Sequence, residues 1–142
     1  MKVQLSDQAR RDLPNVPRFD RPRLGYALDI LQYEAFPTGI FENMDVDSRA
    51  IDILSIFKPR VHRLRLNDPP SVYRIIYFYD KPHNVVYIVF VRHRSRAYPM
   101  ALKDVRGPID LVKYLKEVSE YRKEVRIIMD DYFNNRRWED AR

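Results

Sequence analysis

The chain contains no cysteine, so disulfides, thiolate nucleophiles and cysteine-type zinc sites are excluded. Its three glycines, Gly25, Gly39 and Gly107, lie too far apart to build a phosphate-cradling loop. Three histidines, His62, His83 and His93, are scattered among arginines and make a poor metal set. The Asp45-Val46-Asp47 start of a calcium-type loop lacks the glycine and terminal glutamate that such a loop requires. No serine-hydrolase motif is present, and neither a metal nor a cofactor is expected. The longest apolar run, residues 85–91, falls far short of the roughly 20 residues a membrane helix needs. Met1-Lys2 leads into Gln4, Ser6, Asp7 and Gln8 rather than into an apolar signal core. These absences together imply a cytoplasmic protein with no membrane partner.

What is present is positive charge. The 142 residues carry a formal net charge of +6, which favours nucleic acid or another acidic surface as partner. The length fits a single domain, 1–142, able to bury a real core. The charge gathers in residues 61–98, which read V-H-R-L-R-L, then V-Y-R-I-I-Y-F-Y, then N-V-V-Y-I-V-F-V-R-H-R-S-R-A-Y. These are three β-type runs whose polar positions are mostly arginine and histidine, separated by the turn clusters Asn67-Asp68-Pro69-Pro70 and 80–84. They predict an antiparallel meander. Residues 85–91 are apolar throughout and predict a strand covered on both faces.

Residues 2–6 alternate and predict a short opening strand able to join a sheet edge. Ser6 or Asp7 caps a turn carrying Ala9 and Leu13, which Pro14 and Pro17 stop early. Leu24, Ala27, Leu28 and Leu31 recur at helical spacing and predict a helix over 21–36. Asp47 or Ser48 is placed to cap a second helix through Ile51, Leu54 and Ile56. After Pro99 the period returns to helical: Leu111, Leu115, Val118, Tyr121, Val125, Ile128 and Tyr132 step by three or four, and the charged end from Asn134 to Arg142 is expected to fray. The aromatics Tyr73, Tyr77, Tyr79, Tyr87 and Phe90 read as core and sheet cover.

At Arg63-Leu64-Arg65-Leu66, Tyr73-Arg74-Ile75-Ile76-Tyr77 and Val91-Arg92-His93-Arg94 through Tyr98, the chain resembles the RelE/ParE toxin superfamily. The order is the family's: a basic strand, a turn, a Tyr-Arg-aliphatic strand, a polar hairpin and an apolar strand ending in a basic patch. The resemblance implies an α+β fold, with N-terminal helices packed on a small, mainly antiparallel β-sheet (RelE-like). Residues 1–98 would form that core and residues 99–142 a C-terminal helical extension. It further implies a toxin neutralised by a cognate antitoxin protein. RelE-like members cleave mRNA on the ribosome, and ParE-like members inhibit DNA gyrase. A third possibility is a relative of the same fold that binds RNA or a partner without catalysis.

By the same resemblance Arg74 and Arg94 match the arginines of the cleavage site and Tyr98 the tyrosine at the scissile bond, with His93 where other members carry basic or imidazole groups. Arg63 and Arg65 match the basic pair that holds flanking phosphates, and Arg92 and Arg96 extend the nucleic-acid-binding set. RNA cleavage without metal requires a base for the ribose 2′-hydroxyl, positive charge on the phosphorane and an acid for the leaving 5′-oxygen. Guanidinium suits the second task because it grips phosphate through two parallel donors. Tyrosine beside arginines, or histidine near neutral pH, suits the others.

Overall fold

The structure, a computed structural model, describes the backbone of residues 1–140 and the side chains of residues 1–135. Ala141 and Arg142, the last of the end expected to fray, lie outside the described residues. The chain divides into two compact units, Met1–Ala97 and Tyr98–Arg142.

The first unit opens with β1 (Lys2–Leu5), α1 (Asp7–Asp12), a 3-10 turn at Leu13–Asn15 and α2 (Arg21–Leu31). Strands β2 (Thr38–Phe41), β3 (Met44–Ala50), β4 (Val61–Asp68), β5 (Pro70–Asp80) and β6 (Val85–His93) follow, and the short α3 (Arg94–Ala97) closes the unit. The six strands form one sheet in the order β1-β6-β5-β4-β3-β2. All neighbouring pairs are antiparallel except β1 and β6, which run parallel at one edge. This is the expected α+β architecture of N-terminal helices on a mainly antiparallel sheet, with the meander β4-β5-β6 at its centre.

One face of the sheet takes the helices. Ala9 of α1 and Leu24, Ala27 and Leu31 of α2 cluster with Val46, Leu64, Leu66, Ile75, Tyr77, Val86, Ile88 and Val91. Strand side chains alternate between faces, so Arg63, Arg65, Arg74 and Arg92, each next to one of those positions in sequence, point to the other face. A bulge between Ile76 and Tyr77 resets the alternation against β6.

The segment expected to form a second capped helix is instead the hairpin β2–β3. Glu42, with φ of 54°, makes its tight turn, and Phe41 pairs with Met44. Met44 and Val46 alternate with Asp45 and Asp47, a period of two, and Val46 and Ser48 pair with Leu66 and Leu64. Asp47 and Ser48 are good helix caps, but Asp47 is equally suited to the outer face of a strand, and Ser48 is small enough to sit on the inner face opposite Leu64. Only the 3-10 turn Asp52–Leu54 remains of the expected helix. Helix α2 also ends at Leu31 rather than near residue 36, because Gln32 N–H reaches Asp29 and Ile30 carbonyls and tightens the last turn.

The second unit contains a 3-10 turn at Leu102–Asp104 and α4 (Pro108–Asp140). Along α4, Val118, Tyr121, Val125, Met129 and Tyr132 are buried at helical spacing, while Leu111 and Leu115 are exposed. No helix among the described residues is long and apolar enough to cross a membrane.

Candidate functional site

The sheet aligns Arg65, Arg74 and Arg92 in one row: Arg65 lies opposite Arg74, and Arg74 opposite Arg92. With strands about 4.8 Å apart, the three Cα atoms span about 10 Å. Like charges placed directly opposite each other destabilise a sheet. Asp47 heads the row opposite Arg65, but its carboxylate is turned to the next row, where Arg63 donates Nη1 to the Asp47 carbonyl at 2.7 Å and both Nη atoms to Oδ2 at 3.1 and 3.2 Å. Arg63 is therefore held within the protein, and Arg65 is exposed with no side-chain hydrogen bond or ion pair among the described residues.

Arg74 is only 7% exposed, and its Nη1 donates to the carbonyls of Ser71 at 2.9 Å and Tyr73 at 3.3 Å. Arg92 lies half-buried with its guanidinium carbon 3.7 Å from the centre of the Phe90 ring, a cation–π stack along its own strand. Arg94 and Arg96, on α3, are exposed and their side chains are without partners among the described residues. Tyr98 is half-buried and is the first residue of the second unit.

His93 alternates with Arg92 and so stands on the helix-bearing side of β6. Its Nδ1 accepts the Ser95 N–H at 3.1 Å and lies 2.8 Å from Ser95 Oγ. An Nδ1 that accepts a backbone donor leaves the proton of the neutral ring on Nε2. The ring meets Tyr73 edge to face, centroids 5.6 Å apart at 84°. With Asp12, Asn15, Val91 and Arg96 these two line a pocket of about 290 Å³, which Arg92 completes.

The pocket exists because of how α1 follows β1. β1 pairs with β6 only as far as Leu5 and Ile88. Ser6 then caps α1, accepting from Ala9 N–H at 2.9 Å, while its hydroxyl donates to Val89 carbonyl at 2.8 Å. Asp12, at the far end of α1, accepts from Val91 N–H at 3.0 Å. The helix thus satisfies the β6 edge that β1 vacates, and the space beyond Val91 stays open. Asp12, Asn15 and Tyr73 were not signalled as site residues by the sequence. Tyr73 reads there as sheet cover, and nothing local to Asp12 announces a contact with residue 91.

A larger groove of about 740 Å³ lies between α2 and the β2–β3 hairpin, with Tyr26, Tyr33 and Phe41 among its walls. It contains none of the residues singled out from the sequence. Among the described residues no group of His, Cys, Asp or Glu is arranged to hold a metal ion.

No protein-family profile and no curated protein sequence matches the chain. Three solved structures align with it. A RelE–RelB complex from the archaeon Pyrococcus horikoshii is 25% identical, covering 68% of this chain and 97% of that one, with a TM-score of 0.46. The toxin–antitoxin complex RelBE2 from Mycobacterium tuberculosis is 22% identical, covering 66% and 96%, with a TM-score of 0.38. A free E. coli RelE toxin carrying two arginine-to-alanine substitutions is 12% identical, covering 81% and 94%, also with a TM-score of 0.38.

Proposed function

We propose that the chain is the toxin of a toxin–antitoxin pair and acts as a metal-independent, ribosome-associated mRNA endoribonuclease. The observation that carries this reading is the row Arg65–Arg74–Arg92, in register across three neighbouring strands. Three guanidinium groups set in one row across neighbouring strands suit a polyanion laid across them. Arg65 would hold a flanking phosphate from the exposed end of the row, and buried Arg74 would raise the potential beneath it. Arg94, two residues beyond Arg92, is open to grip the scissile phosphate through paired donors.

In the reaction a base takes the 2′-hydroxyl proton, the 2′-oxygen attacks phosphorus, and the 5′-oxygen leaves with a proton from an acid. The products are a 2′,3′-cyclic phosphate and a 5′-hydroxyl. Tyr98 is the group proposed as base; His93 stands on the helix-bearing face of β6 and is assigned no step. The basic face also suits an acidic, amphipathic antitoxin segment that folds on binding. The test is mRNA cleavage in a translation extract: Arg65→Ala, Arg94→Ala and Tyr98→Phe should each reduce cutting, the last two by about a hundredfold. Cutting unchanged in Arg94→Ala and Tyr98→Phe would sink the assignment.

A second reading is favoured by the internal commitment of Arg63 to Asp47 and by the burial of Arg74. On it, the same face binds RNA or a partner without cleaving. It requires RNA affinity that falls linearly on a log–log plot against salt, with intact RNA recovered. ParE-like inhibition of DNA gyrase is excluded if supercoiling persists in the protein's presence.

A further inference from the structure

We propose that the pocket between α1 and the end of β6, whose lining includes Arg92 at the end of the arginine row, binds a single nucleoside monophosphate. Its chemistry divides into two halves. One is aromatic and neutral: Tyr73 with the edge-on His93 ring forms a wall against which a base can stack, and Asn15, whose amide makes only a long 3.4 Å contact to Arg11 carbonyl, can meet a base edge. The other half is cationic. Arg96 has a guanidinium without side-chain partners among the described residues, and Arg92 completes the lining.

Asp12 is the single carboxylate of the pocket, and both its oxygens are already engaged, by Gln8 Nε2 at 2.9 Å and Val91 N–H at 3.0 Å. Two arginines against one aspartate leave the lining with a net positive charge. A volume of about 290 Å³ suits one nucleotide rather than an oligomer. A free carboxylate or phosphate would satisfy the guanidinium but leave the aromatic wall uncovered.

The experiment is a nuclear magnetic resonance titration of the full chain with AMP, GMP, CMP and UMP, set beside inorganic phosphate and the parent nucleosides. RNA cutting is not scored, so the result stands whether or not the protein is a nuclease. Nucleoside monophosphates are expected to shift the Asn15 side-chain amide and the His93 ring signals, and to bind at least about tenfold more tightly than phosphate or nucleoside alone. Arg96→Ala, at an exposed position that the fold does not use, should remove about that factor for the nucleotide and leave nucleoside affinity unchanged. Asn15→Ala should weaken nucleoside and nucleotide alike. Phosphate binding as tightly as the nucleotides, or no shift at Asn15 and His93 with millimolar nucleotide, overturns the proposal.

Discussion

Asp47 takes the Arg63 guanidinium twice, through its backbone carbonyl at 2.7 Å and its carboxylate at 3.1 Å, although its register partner across the strand is Arg65. The diagonal pairing leaves Arg65 open and makes Arg63 structural. The pair is mostly shielded, with side chains 13% and 23% exposed. Arg63→Ala is therefore expected to lower the unfolding free energy by about 1–3 kcal/mol in urea titrations, and to weaken RNA binding less than Arg65→Ala does. A variant with native stability and no RNA affinity would reverse these roles.

Ser6 links three elements. Its buried hydroxyl donates to β6 and accepts from the first turn of α1. Ser6→Ala removes the cap and orphans the Val89 carbonyl, a loss of about 1–3 kcal/mol. Amide hydrogen exchange at Ala9 should accelerate with it. Protection unchanged at Ala9 would mean that α1 is held by its apolar face alone.

Tyr77 is fully buried, and its hydroxyl donates to the Ala35 carbonyl at 2.7 Å, tying the segment after α2 to the sheet. Tyr77→Phe keeps the ring and deletes the bond, so thermal or urea melts should show a loss of about 1–2 kcal/mol. Burial also pushes the Tyr77 phenol well above its ordinary pKa of 10. The ring should remain protonated in ultraviolet titration up to the pH at which the protein unfolds.

His62 lies between the Phe36 and Tyr77 rings. Burial, chiefly, lowers its pKa below 6.5, the Arg60 carbonyl opposing and the Arg60 charge adding to the effect. The unfolded chain then binds more protons than the folded one once pH drops below about 7, so this group's contribution to stability falls as pH falls. Between pH 8 and 5.5 the wild type should lose more stability than His62→Gln. An equal loss in both would place the pH dependence elsewhere.

The fold was legible where the apolar period was unambiguous. Residues 61–66, 72–79 and 85–91 each read as strands, and β4, β5 and β6 occupy them in the expected antiparallel order. The hairpin β2–β3 was not legible, because Asp47 and Ser48 satisfy a helix start as well as two successive positions of a strand. What decided between them was Leu64 and Leu66, residues distant in sequence that offer the pairing edge. The arginine row was legible in composition but not in sidedness. Which arginines share a face depends on register, and which stay open depends on Asp47. The pocket at His93 was the least accessible, since it results from where β1 stops and α1 turns along the vacated edge.

The most direct measurement of the central claim maps the ends of mRNA fragments produced by the wild-type protein and by Arg94→Ala in a translation extract. The account predicts fragments bearing 5′-hydroxyl and 2′,3′-cyclic phosphate ends, abolished by a 2′-deoxy substitution at the cut site and reduced about a hundredfold by Arg94→Ala. Intact mRNA with the wild-type protein, or fragments with 5′-phosphate ends, would contradict it.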